Sequence, residues 1–187
     1  RKPQGAWVHH KTLQMKGAPK GYLFGSSVAI DGDRVVVGAP YDKTKASEAG
    51  SASIYERHTD GTYPLKTVIY AADNSFMNFF GTSVAIDKDH VVIGASSNSE
   101  VAVKAGAAYI FERDTKGNYL QKYKLINEKS GAYEHLGTSF AVHARRVLVG
   151  SLKGKGASGT GTAWLYHDPC VSGLVCDDGD PCTKNLC

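Results

Sequence analysis

The chain has 187 residues, of which 42% are hydrophobic, so it is long enough to bury the core of one ordinary globular domain. Its formal net charge is +4, and its acids and bases are interspersed, unlike the basic arm of a nucleic-acid-binding protein. No apolar run approaches the roughly 18 residues that a membrane-spanning helix needs. The composition therefore predicts neither a nucleic-acid partner nor a membrane span.

The first third of the chain predicts short strands joined by tight turns. Ser27–Asp31 alternates apolar and small side chains, and Asp31-Gly32-Asp33 is favourable hairpin chemistry, because Asp and Gly accept the positive φ of a tight turn. Val35–Val37 is a continuous apolar run, typical of a strand buried on both faces. We expect two further strands, over Ala52–Glu56 and Tyr63–Ile69.

This pattern then repeats. The phrase FGSSVAIDGDRVVVGAP returns as FGTSVAIDKDHVVIGAS and again as LGTSFAVHARRVLVGSL, with starts 56 residues apart at Phe24, Phe80 and Leu136. The glycines near the end of each phrase keep the same spacing, at Gly38, Gly94 and Gly150. A period of this size indicates a repeat architecture, in which each unit buries its apolar face against its neighbours.

The repeat divides the chain into units near residues 5–60, 61–116 and 117–167, with a cysteine-rich tail over residues 168–187. Four antiparallel strands per unit at this period predict an all-β protein made of β-propeller blades. The last unit supplies only three strands and ends at His167. The segments Trp7–Leu13, Tyr63–Ile69 and Tyr119–Leu125 are spaced 56 residues apart. We therefore expect Trp7–Leu13 to be an outer strand, but no blade precedes it in the sequence.

The motif Phe24-Gly25 followed by Gly38-Ala39-Pro40 resembles the FG-GAP repeat that builds the β-propeller of integrin α subunits and occurs in many secreted proteins. The resemblance covers roughly residues 5–167, and the later copies of the motif diverge: Phe80-Gly81 with Gly94-Ala95, and Leu136-Gly137 with Gly150. It implies a propeller in which the Phe-Gly strand of each blade is innermost.

A ring needs about four to eight blades, so three blades predict part of a larger structure. One interpretation places further blades upstream, in a longer protein. The other joins copies of the chain, so that Trp7–Leu13 of one copy completes the last blade of another. We favour the first.

The cysteines lie together in the tail, at Cys170, Cys176, Cys182 and Cys187. A cysteine-free body followed by such a cluster favours disulfides and an oxidising, extracellular location, with the protein secreted or at the cell surface. Zinc is less favoured, because paired Cys-x-x-Cys knuckles are absent from the sequence. The pairing of the four cysteines stays open.

We expect no cofactor. The Asp-rich calcium loops of integrin-type blades do not carry over, since the loops after the motif hold one or two acids at most. In the tail, Asp177, Asp178 and Asp180 predict an acidic turn braced by disulfides, with calcium binding as the less favoured alternative. The Gly-x-Gly-x-x-Gly match at 154–159 precedes a predicted strand rather than a helix, which argues against a nucleotide.

No catalytic motif recurs with the repeat, so we expect a protein without enzymatic activity. The resemblance implies an extracellular adhesion or assembly module that binds protein or polysaccharide through blade loops or edges. Two alternatives stay open. A structural subunit of an extracellular filament would exchange Trp7–Leu13 between copies of the chain. A carbohydrate-binding module of a secreted enzyme would cluster exposed aromatic residues, for which Tyr41 and Tyr133 are candidates.

Overall fold

The computed structural model describes residues 7–15, 17, 19–73, 75–154 and 159–168. Within these ranges the protein is all-β and contains no helix. Its strands, in chain order, are β1 Ser27–Asp31, β2 Arg34–Ala39, β3 Ser51–Glu56, β4 Leu65–Ile69, β5 Phe80–Asp87, β6 His90–Ala95, β7 Ala107–Arg113, β8 Tyr119–Leu125, β9 Leu136–His143, β10 Arg146–Ser151 and β11 Thr162–His167.

The strands form three antiparallel sheets, each built from consecutive strands in chain order. Sheet 1 is β1–β4, sheet 2 is β5–β8, and sheet 3 is the three-stranded β9–β11. The strands predicted from Ser27 onwards are thereby confirmed, including a last sheet of three described strands ending at His167. Two boundaries differ: β3 begins at Ser51 rather than at Ala52, and β4 begins at Leu65 rather than at Tyr63.

The hairpin chemistry acts as the sequence predicts. Asp31 pairs with Arg34 across the β1–β2 turn, and Gly32 adopts a positive φ of 53° there. The Val35–Val37 run lies in β2, where Val36 is fully buried and Val35 is half-buried. Its counterpart in β6 is buried along its whole length, because sheet 2 has a neighbour on each side.

Two apolar clusters hold the sheets together. The first lies between sheets 1 and 2 and centres on Phe80 and Tyr109, whose rings meet edge to face at 5.3 Å. The second lies between sheets 2 and 3 and includes Val92, Leu136 and Val149. Sheet 2 therefore contributes both of its faces to the core, whereas sheets 1 and 3 each contribute one.

Neighbouring sheets approach closely at paired glycines from the repeated motif. A Cβ on Gly38 would lie 2.1 Å from the carbonyl oxygen of Gly81, and one on Gly94 would lie 2.0 Å from that of Gly137. Real Cβ atoms do not tolerate such distances, so the motif requires glycine on both sides of the contact. The spacing of the motif is thus explained by packing.

The segment Trp7–Leu13 differs from the prediction, since the structure assigns no strand to it. A β-strand is stabilised by hydrogen bonds to a neighbouring strand. The described chain offers this segment no strand partner, and Trp7 is fully exposed. Its pairing with a second copy of the chain stays a prediction.

Replacing Gly81 by Ala will test the glycine contact. The new Cβ would meet the carbonyl oxygen of Ser51 at 2.3 Å, at a φ of +94° that side chains rarely adopt. The matched control is Gly25→Ala, because Gly25 has a φ of +96° but nothing within 4 Å. Backbone strain cancels between the two variants, so the remaining difference reports overpacking, which typically costs about 1–3 kcal/mol.

Urea unfolding of both variants measures that difference in the free energy of unfolding. We expect Gly81→Ala to be the less stable of the two. Equal losses in the two variants would contradict the close approach of the sheets at Gly81.

Candidate interaction surface

The contact between neighbouring sheets is built from the main chain and occurs twice. Phe80 begins β5, is fully buried, and donates its backbone N–H to the carbonyl of Ala49, at 2.9 Å. Leu136 begins β9 and donates in the same way to Ala105, at 2.8 Å. The first apolar residue of each later motif thus joins the loop before the third strand of the preceding sheet.

A serine side chain reinforces each of these contacts. The Ser27 hydroxyl donates to the carbonyl of Gly81 at 2.8 Å, and the Ser83 hydroxyl donates to that of Gly137 at 2.6 Å. Ser139, one period further on, occupies the same place in sheet 3 and is exposed. At the other end, Gly25 has the position of Gly81 and Gly137, with open space beside it.

The predicted turn residues also connect sheets. The Asp31 carboxylate accepts the backbone N–H of Lys88, and the Asp87 carboxylate accepts that of Ala144, both at 2.7 Å. Asp89 pairs across the same junction with Arg34, at 3.1 Å. The repeated aspartates therefore have a structural role at the turns. Among the described residues, no three His, Cys, Asp or Glu side chains gather closely enough to hold a metal ion.

Sheet 1 leaves apolar side chains exposed on the face that points away from sheet 2. We call this surface the leading face and define it by Val28 and Ile30, each 67% exposed. The residues one period later, Val84 and Ile86, pack against sheet 1. The same alternation of apolar residues is therefore covered in sheet 2 and uncovered in sheet 1.

Sheet 3 also exposes apolar side chains on the face that points away from sheet 2, which is the opposite side of the array. We call it the trailing face and define it by Leu148 and Leu165, which are 43% and 67% exposed. Their counterparts in sheet 1, Val36 and Ile54, are fully buried against sheet 2. Burying one such side chain contributes about 1.5–3 kcal/mol, so covering either open face would be favourable.

Between β11 and residues 126–129, which follow β8, lies a cleft of about 630 Å³ that is also lined by Trp164 and Tyr166. The equivalent of Trp164 in sheet 2 is Tyr109, which is fully buried. There the ammonium of Lys124, on the outer strand β8, lies 5.3 Å from the Tyr109 ring. The cleft therefore marks the place that an outer strand fills in sheet 2.

The covered site in sheet 2 is polar at its rim. The Tyr109 hydroxyl donates to the Asp73 carboxylate at 2.9 Å, and Lys124 pairs with both Asp73 and Glu100. Burial raises the pKa of Tyr109, and the charge of Asp73 raises it further. The Tyr109 phenol therefore stays protonated and remains a donor to Asp73, which follows β4 of sheet 1. Together with Lys124, it links sheet 2 to sheet 1.

The structure separates the other predicted site residues. Tyr41 packs on Phe79, with ring centroids 4.9 Å apart, whereas Tyr133 lies near His135, at 6.4 Å. Cys170, Cys176, Cys182 and Cys187 lie outside the described residues, together with Asp177, Asp178 and Asp180.

Sequence reasoning missed the two open faces. Comparing residues one or two periods apart could have found them. An apolar residue at such an equivalent position is buried only where a neighbouring sheet covers it. Val28 and Leu148 are the clearest examples, since each is exposed while its counterparts pack against a neighbouring sheet.

These features define an all-β repeat protein whose units pack through Phe-Gly and Gly-Ala edges. The family model of the FG-GAP repeat matches residues 7–55 and 65–111, about half of the chain, and the chain belongs to this family. The third unit lies outside the match, but it has the same order of strands as far as β11. No curated protein matches the chain significantly. FG-GAP repeats are generally non-catalytic and typically occur in extracellular or surface proteins.

Ser83→Ala tests the hydroxyl contact between sheets 2 and 3. It removes the donor to the Gly137 carbonyl and leaves a buried acceptor without this partner, which costs about 1–3 kcal/mol. Ser139→Ala is the matched control, because Ser139 is exposed at the equivalent position. Thermal unfolding of dilute protein is expected to show a lower Tm for Ser83→Ala alone. A similar decrease in both variants would contradict the interpretation.

Proposed function

We propose that the chain is a non-catalytic extracellular module that binds protein partners through the edges of its blades. The observation that carries this proposal is the pair of open apolar faces, since their counterparts at internal junctions are buried. On this view the sheets are β-propeller blades, and the leading and trailing faces are where further blades or partner proteins dock. Such apolar surfaces mark interaction sites in soluble proteins.

The extracellular location rests on two independent supports. The family typically occurs in extracellular or surface proteins. The four cysteines cluster in the tail while the repeats contain none, which is typical of a disulfide-stabilised segment in an oxidising compartment. Adhesion and assembly require no catalytic group, in keeping with a repeat whose recurring residues serve packing.

A second candidate is polysaccharide binding through aromatic side chains. It is favoured by the contact between the Tyr41 and Phe79 rings, tilted by 36°, and by Phe76, three residues before Phe79 in the sequence and 66% exposed. Aromatic rings present flat apolar surfaces to ligands. Tyr133 is not part of this pair, so the ring cluster that the sequence predicted is smaller than expected.

A binding array separates the two candidates. Fluorescently labelled chain is applied to spots of purified extracellular proteins and to spots of polysaccharides. The Ile30→Asp and Leu148→Asp variants place a charge on the leading and the trailing face, and Lys116→Glu, in the exposed β7–β8 turn, is the control. We expect protein spots to bind the wild type and the control, with at least a tenfold loss in one of the face variants.

Binding to polysaccharide spots alone, unaffected by the face variants and lost in Phe76→Ala, would overturn the protein-binding proposal in favour of the second candidate. Circular dichroism of each variant checks that the sheets are intact. Because the altered residues are exposed, no change in the spectrum is expected.

A further inference from the structure

The two open faces carry the two halves of one repeated contact. At the internal junctions, a serine on one sheet donates to the carbonyl of a Phe-Gly or Leu-Gly motif on the next, and a motif glycine fits against that same carbonyl. The trailing face of sheet 3 holds the serine and the glycine, Ser139 and Gly150. The leading side of sheet 1 holds the motif, Phe24-Gly25. Among the described residues, no sheet packs against either half.

Charges on the two sides correspond as well. At the junction of sheets 1 and 2, Arg34 pairs with Asp89 at 3.1 Å. Arg146 of sheet 3 occupies the position equivalent to Arg34, two periods later. Asp33 of sheet 1 occupies the position equivalent to Asp89, one period earlier. Asp33 pairs with Arg57 in sheet 1 at 3.7 Å. Its position relative to Arg146 of another copy would be that of Asp89 relative to Arg34.

The N-terminal segment already lies where an outer strand of a preceding sheet belongs. The His10 ring contacts the carbonyl of Gly61 at 3.2 Å. The equivalent residues one period later are Lys66 of β4 and Gly117, and the Lys66 ammonium lies beside Gly117. The Tyr55 hydroxyl donates to the carbonyl of Gln14 at 3.1 Å. Residues 7–15 thus contact sheet 1 much as β4 contacts sheet 2, although no strand of the described chain pairs with them.

The strand that this segment lacks is present at the other end of the chain. β11 is the outermost described strand of sheet 3, and the cleft beside it exposes Trp164, at 38%, where sheet 2 covers the equivalent Tyr109 with β8. Both stretches that match the family begin at an outer-strand segment, at residues 7 and 65. The first match therefore includes residues 7–13, and the second includes β4.

We propose that a second copy of this chain docks head to tail. Its leading face covers the trailing face of the first copy, and its residues 7–13 add to β11 as the fourth antiparallel strand. The proposal rests on the proposed function and names the partner of the same faces. The register follows from β3–β4 and β7–β8: Leu13 opposite Ala163, Thr12 opposite Trp164, Lys11 opposite Leu165, and His9 opposite Tyr166.

This contact is heterologous, because two different surfaces of the chain meet in it. Mixing two blocked variants tests that property. Ile30→Asp blocks the leading face and leaves the trailing face free, and Leu148→Asp does the reverse. Sedimentation velocity in reducing buffer, which prevents crosslinks between the tail cysteines, gives the mass of each sample.

We expect the wild type to form concentration-dependent multimers and each variant alone to sediment as a single chain. An equimolar mixture of the variants should form a complex of about twice the chain mass and nothing larger. Lys116→Glu is the control and should assemble like the wild type. A variant that dimerises with itself, or a mixture that stays monomeric at concentrations where the wild type assembles, overturns the head-to-tail contact.

Strand addition has its own measurement. Hydrogen exchange of the assembled wild type should show protection of residues 8–13 and 162–167, compared with Leu148→Asp alone. The two tryptophans, Trp7 and Trp164, both lie in the proposed contact, so fluorescence emission should shift to shorter wavelength on assembly. Assembly without protection at residues 8–13 overturns strand addition.

The outcome is distinguishable from failure of the proposed function. A wild type that stays monomeric at all concentrations, yet binds proteins on the array through its open faces, overturns the second copy as partner and leaves the protein-binding function standing. A wild type that assembles but binds no other protein supports the self-partner and restricts the function to assembly.

Discussion

The fold depends on the close approach of backbones at paired glycines. Gly38 against Gly81, and Gly94 against Gly137, bring neighbouring sheets within a distance that no side chain allows. At that distance a serine hydroxyl reaches the opposite carbonyl. Phe80 and Leu136, the first residues of the second and third motifs, also bond to the loop of the preceding sheet. Apolar clusters fill the space between the same pairs of sheets. Packing between the sheets therefore explains why the motif recurs in each unit. The turn aspartates recur at the same spacing because they connect the same pairs of sheets.

Much of the fold could be predicted from the sequence, because the period assigns each strand three times over. Ser27–Asp31 and Tyr119–Leu125 were predicted with their bounds, and the hairpin turn at Gly32 followed from its chemistry. The exposure of Val28 was beyond reach, since an alternating strand looks the same whether or not a neighbour covers it. Trp7–Leu13 was assigned as a strand for a related reason: its residues fit the pattern, but strand structure also requires a partner that the described chain lacks.

The interaction surface was less predictable than the fold. Sequence motifs identify chemistry that one side chain or one loop performs, such as metal binding by clustered carboxylates. The trailing face, with Leu148 and Leu165, has no motif, because its residues correspond to ordinary core residues of the repeat. Only their comparison with buried counterparts in other units distinguishes them. Aromatic candidates chosen by exposure in loops were separated by the structure, since Tyr41 and Tyr133 lie near different residues.

The position of sheet 2 between two neighbours has a consequence for how the protein opens. In a linear repeat array, stability is approximately a sum of unit terms and nearest-neighbour terms. Sheet 2 takes part in both clusters, whereas each end sheet takes part in one. Thermal fluctuation should therefore release β1 or β11 long before β6, so that partial unfolding proceeds inwards from the ends. The end sheets are then the segments most accessible to proteases and to exchange of strands, and the central sheet is the part of the chain that is retained longest.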